Sequence, residues 1–104
     1  MYLIAKLELS YAGVQEFISV APNVRAAMEK RGCRMIHAFS QDTGRLNTHI
    51  HIWHLEHANS YFDAVADLRR SPEIGDIIAT LARSVVNETL TFASALPYGP
   101  DPVG

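Results

Sequence analysis

The chain of 104 residues has one cysteine, Cys33, so no disulfide can form within it. A lone thiol fits a reducing compartment, and the expected location is the cytoplasm. An excess of charge of one sign is also missing. Nine Lys and Arg stand against eleven Asp and Glu, a formal net charge of −2 with a pI near 6.2. Such a chain has no basic field, and nucleic acid is not an expected partner. No apolar run approaches the roughly 20 residues of a membrane-spanning helix. The opening Met1-Tyr2-Leu3-Ile4-Ala5-Lys6 lacks the charged start of an export signal, so neither membrane nor export is expected. Glycine-rich phosphate loops, nucleophile elbows and metalloprotease helices are absent too. What remains is 48% hydrophobic and 19% charged, the balance of a single globular domain large enough for its own core.

The sharpest pattern lies between Leu46 and Leu55. Ile50 and Ile52 alternate with His49, His51 and Trp53, the period of a β-strand. A half-solvated strand normally carries Lys, Thr or Glu on its second face. Here that face holds imidazoles and an indole. Tyr2 to Leu9 alternates in the same way, with Leu3, Ala5, Leu7 and Leu9 on one face and Tyr2, Ile4, Lys6 and Glu8 on the other. After the turn Ser10–Gly13, the offsets of Phe17, Val20, Ala21, Val24 and Met28 predict a helix that Pro22 should kink or split. Gly32 ends it.

Cys33 to Gln41 reads as a strand, and Asp42-Thr43-Gly44-Arg45 as the turn into the central one. Asn59 or Ser60 caps a helix with Phe62, Val65 and Leu68 as its buried stripe. Ser71-Pro72-Glu73 starts a third helix, with Ile74, Ile77, Ile78 and Leu81 on its apolar face. Glu88 to Ala95 forms a last strand. The predicted domain spans residues 1–96, and the proline-rich stretch 97–104 is a tail. The order β-α-β-β-α-(α)-β gives an α+β, ferredoxin-like antiparallel fold with helices on one side. Its bare face would hold the histidines and Trp53, and a contiguous exposed patch of that kind marks an interface. A homodimer follows, its two sheets enclosing a cavity.

Several short motifs carry a resemblance to a known family. Gly44-Arg45-Leu46-Asn47 followed by His51-Ile52-Trp53 resembles the Gly-x-Leu-Asn…His-Leu-Trp core of the NIPSNAP family. Ser71-Pro72-Glu73 resembles the family's Asp-Pro-Glu helix start, and Leu96-Pro97-Tyr98-Gly99-Pro100 its Leu-Pro-Phe-Ser-Pro ending. Glu16-Phe17 fits its first helix and Glu88 its acid at the head of the last strand. The similarity spans nearly the whole chain. It implies a dimeric α+β barrel and little defined chemistry. The chain departs from the family pattern at its first strand, Tyr2-Leu3-Ile4-Ala5-Lys6, at His49 and at His37, as a specialised member would.

A three-residue loop of Thr43, Gly44 and Arg45, with a positive φ at Gly44, sets the hairpin register. Phe39 then faces His49, His37 faces His51 and Met35 faces Trp53, all on one face. Ile36, Ala38, Ile50 and Ile52 would lie under the helices. A shift by one residue would move His37 beside the isoleucines.

Three readings of the histidine face stay open. In one, His51 and Trp53 only support the dimer core. In another, the protein is a cofactor-independent isomerase, lyase or monooxygenase acting on a small organic molecule. His51 would be its acid/base, aided by His49 and His37, with Trp53, Phe39, Met35, Tyr2 and Phe92 binding substrate. In the third, His37, His49 and His51 hold zinc, iron or haem. His54 and His57 read as surface or capping residues, Cys33 as a small buried residue, and Arg69-Arg70 as answers to a helix dipole. Lys6 and Glu8 offer either a charge for the cavity or a salt bridge.

Overall fold

Alternation in Tyr2–Leu9 (β1) buries Leu3, Ala5, Leu7 and Leu9, and this row is the floor on which three helices pack. The computed structural model describes residues 1–72 and 74–100. The expected helix-leading acid Glu73 and the end of the tail, residues 101–104, lie outside the described residues. A 3-10 turn at Tyr11–Gly13 leads into α1 (Val14–Glu29). Then come β2 (Arg34–Ser40), β3 (Thr48–His54), α2 (Ala58–Arg69), α3 (Ile74–Ser84) and β4 (Val85–Ala93). The sheet runs in the order β2-β3-β1-β4, antiparallel throughout. The ferredoxin-like α+β prediction holds, extra helix included.

The helices cover one sheet face. Leu3, Trp53 and Leu55 pack with Ala27 and Met28 of α1 and with Ala64 and Leu68 of α2. Ala5, Leu7 and Leu9 pack with Phe17. Pro22 does not split α1. It removes one N–H, and the carbonyl it frees is that of Ile18, on the exposed side of the helix, where water can replace the bond. The junction of α1 with the end of α3 is tight. A methyl group on Gly13 would lie 2.7 Å from Ser84 Cα, and the Ser10 N–H donates to the Ser84 carbonyl at 2.8 Å.

Two expectations about the hairpin are corrected. The pairs Leu3–Trp53, Ala5–His51 and Leu7–His49 put the histidines and the indole on the helix side. Ile50 and Ile52, expected beneath the helices, share the bare face with Ile4 and Lys6. The reason is the partner strand, because four apolar residues on one side of β1 draw the helices there and adjacent strands share faces. The register also slips. Met35 pairs with Trp53 as expected, but an irregularity at Ile36 then places His37 opposite Ile52 and Phe39 opposite Ile50. Gly44 has its positive φ of 76°. The loop, however, spans residues 41–47 and is closed by the Gln41 N–H donating to the Thr48 carbonyl at 2.9 Å. A bulge moves every later side chain on its strand to the other face.

Candidate functional site

Among Leu3, Ala5, Leu7 and Leu9, Ala5 is the residue that leaves room. Between it and the helices lies a cleft of about 260 Å³. Ala5 pairs with His51 on one side and Leu90 on the other, so the imidazole stands beside the gap left by the short side chain. Phe17 and Met28 from α1, Tyr61 and Leu68 from α2, and Ile78 and Leu81 from α3 form most of the apolar wall. The polar groups reaching it are His51, Tyr61, Arg69 and Glu88.

His51 is held by rings. Phe17 stacks on it with centroids 6.1 Å apart, and Trp53 meets it edge-on at 6.4 Å. No hydrogen bond joins its imidazole to another of the described residues. Burial lowers its pKa, and neighbouring His49 lowers it further, which keeps the ring neutral at pH 7. Tyr61 moves the other way. Burial raises its pKa, and the Glu88 carboxylate adds to the shift. Glu88 remains open to solvent on one side, yet the apolar wall raises its pKa as well. One cleft therefore holds a neutral base and two groups whose environments favour the protonated form. Environments that separate pKa values in this way are those that assign acid and base roles.

The expected site residues divide between the two sheet faces. His51 and Trp53 line the cleft. His49 shares their face and meets Phe17 edge-on at 5.4 Å, without forming a cleft wall. Met35 packs against the core beside Trp53, and Phe92 stands behind Tyr61 at 6.5 Å. His37 and Phe39 stack on each other at 5.3 Å on the bare face. Tyr2 lies on that face against His54 at 5.4 Å. His37 therefore cannot join His49 and His51, and the three-histidine set for zinc, iron or haem is not assembled. Among the described residues, no cluster of three or more His, Cys, Asp or Glu is placed to hold a metal ion.

Tyr61 and Arg69 were not anticipated from the sequence. The signal for Tyr61 was present, since Tyr61, Val65 and Leu68 have helical offsets of four and seven and Tyr61 fits that stripe. The expected Phe62 is 55% exposed instead. Glu88 stood out only through the family resemblance, and Arg69 carries no sequence signal beyond its place near a helix end.

No protein-family model matches the chain, and no curated protein matches it. Solved structures do. A NIPSNAP domain protein from Burkholderia xenovorans superposes with a TM-score of 0.82 at 16% identity, covering 97% of this chain and all of its own. A NIPSNAP-like domain protein from the same organism gives 0.81 at 21% identity, over 99% of this chain and 90% of its own. An antibiotic biosynthesis monooxygenase gives 0.71 at 10% identity, over 92% and 98%. The chain thus has the fold of the NIPSNAP domain structures, in agreement with its motifs.

Proposed function

We propose that the cleft binds a small, largely apolar organic molecule, and that His51 removes a proton from it without the help of a cofactor. The observation that carries this reading is the His51 imidazole, without a hydrogen-bond partner among the described residues, at the wall of an apolar cleft. The proton passes to an imidazole nitrogen, and the electron pair it leaves moves onto a substrate oxygen. Tyr61, whose pKa burial raises, can donate a hydrogen bond to that oxygen, and Glu88, whose pKa burial also raises, can do so in its protonated form. Arg69, at the end of α2, adds a positive charge to the same cleft. Proton abstraction is the first step shared by isomerase, lyase and cofactor-independent monooxygenase chemistry. The neighbouring fold of an antibiotic biosynthesis monooxygenase supports the last of these by analogy only.

The test is His51→Asn, measured against a ligand found by a metabolite screen. Turnover should fall about 10²- to 10⁴-fold while the protein stays folded. A non-catalytic ligand-binding or structural role is favoured by the stacking of Phe17 on His51. It predicts a lower melting temperature with unchanged ligand behaviour.

The proposed partner is a second copy of the chain, seated on the bare sheet face around Ile4, Ile50, Ile52 and Phe39. The proposed location is the cytoplasm, which the single buried thiol of Cys33 fits. No described helix is long and apolar enough to cross a membrane.

A further inference from the structure

On the other side of the sheet from His51, the loop 41–47 folds over the ends of β1 and β3 and closes a polar hollow of about 250 Å³. Successive residues of a strand point to opposite faces, so Ala5 borders the cleft and Lys6 the hollow. The loop is well tethered. The Leu9 N–H donates to the Asn47 carbonyl at 2.9 Å, and Asn47 Nδ2 donates to the Leu9 carbonyl. Gln41 Nε2 donates across the loop to the Arg45 carbonyl at 3.3 Å.

The chemistry of the hollow is unbalanced in two ways. The first concerns donors. Thr48 is 2% exposed, and its Oγ1 lacks any hydrogen-bond partner among the described residues. A buried hydroxyl without a partner is uncommon in folded proteins and calls for an explanation. The second concerns charge. Lys6 and Arg45 supply two positive charges, and Glu8 supplies one negative charge. Glu8 is engaged by Arg45 at 3.5 Å, and Lys6 has no ion-pair partner among the described residues. Thr89, which pairs with Lys6 on the neighbouring strand, adds a second hydroxyl. The hollow thus has hydrogen-bond donors to spare and one uncompensated positive charge. That is the complement of a small oxyanion.

We propose that this hollow is a binding site for a small oxyanion, a phosphate or a carboxylate group, held by Lys6, Arg45 and the hydroxyls of Thr48 and Thr89. Water could take the hydroxyl's bond and solvate the exposed Lys6 ammonium, but it would bring no charge to pair with it. An oxyanion satisfies both. The site shares no residue with the His51 cleft, so it stands or falls independently of the proposed activity.

The experiment is thermal unfolding of the full chain while sodium phosphate, or separately sodium acetate, replaces sodium chloride at constant ionic strength. A site that binds only the folded chain gives a saturable rise in melting temperature. A response to phosphate alone assigns a tetrahedral anion, and a response to acetate as well assigns a carboxylate group. Lys6→Gln and Thr48→Val should each weaken the apparent affinity at least tenfold. In chloride alone, Thr48→Val should melt higher than the parent, because it removes the buried hydroxyl. That measurement also confirms that the variant folds. The proposal is overturned if neither anion gives a saturable rise, or if both variants keep the response. It is also overturned if Lys6→Gln changes the particle mass by light scattering, which would assign Lys6 to a subunit contact.

Discussion

His51 and Glu88 line one cleft, and burial moves their pKa values in opposite directions. The two therefore contribute opposite pH dependences to stability. Burial and His49 lower the pKa of His51 from its ordinary 6.5. As pH falls below 6.5, the unfolded chain takes up a proton that the folded chain resists, so stability is lost on the acid side. Glu88 is raised from 4.5. As pH climbs above 4.5, the unfolded chain releases its proton first, and stability falls until the folded carboxyl has ionised too. Glu88→Gln should therefore melt higher than the parent at pH 7, and the difference should vanish below pH 4.5. His51→Asn should flatten the loss of stability between pH 6.5 and 5. Melting curves across pH 4 to 8 check both, and an unchanged difference for Glu88→Gln at every pH would remove the burial argument.

At the scale of elements, β1 decides the site through the volumes of its residues. Ala5 is small where Leu3, Leu7 and Leu9 are large, and the cleft is the space that remains. Ala5→Leu should fill that space, abolish ligand binding and leave stability within about 1.5 kcal/mol of the parent, since the added methyl groups enter an existing void. Calorimetric titration with a screened ligand, beside a melting curve, reads both effects. The opposite holds at the junction of α1 and α3. An added methyl on Gly13 meets Ser84 Cα at 2.7 Å, and backbone there cannot yield as a flexible side chain can. Gly13→Ala should cost about 1–3 kcal/mol, measured by denaturant unfolding. A neutral result would mean that the helix pair can separate without loss.

The whole molecule is a slab of 41 × 36 × 19 Å. Its short dimension is that of one sheet and one layer of helices, which stack about 10 Å apart. The radius of gyration, 14.0 Å, exceeds the roughly 13 Å expected of a compact domain of this length. Flatness leaves one sheet face uncovered. That face is apolar around Ile4, Ile52 and Ile50, where Phe39 is 50% exposed, and turns polar from Lys6, the partner of Ile50, towards Glu8 and Thr48. Burying apolar surface, at about 25 cal/mol per Å², favours pairing of the apolar residues with a second copy. Light scattering at micromolar concentration should find twice the chain mass, and Phe39→Lys should shift it towards the monomer. A parent protein that is already monomeric at that concentration would end the dimer proposal.

The order of elements, the alternation of β1 and β3 and the pairing of His51 with Trp53 were all legible in the sequence, because period and turn chemistry are local properties. The segregation of His49, His51 and Trp53 from Ile50 and Ile52 was equally legible. Which of those two faces meets the helices was not, since one face of this strand is aliphatic and the other aromatic, and either can be buried. That was decided by β1, whose leucines lie in the adjacent strand but about 40 to 50 residues away in the chain. The placement of His37 and Phe39 was decided by one irregular residue, Ile36, which no propensity marks as a bulge. Tyr61 and Arg69 reach the cleft from α2, Glu88 from β4 and Phe17 from α1. A site assembled across such distances exists only once the sheet order has been fixed, and packing, not local pattern, fixes it.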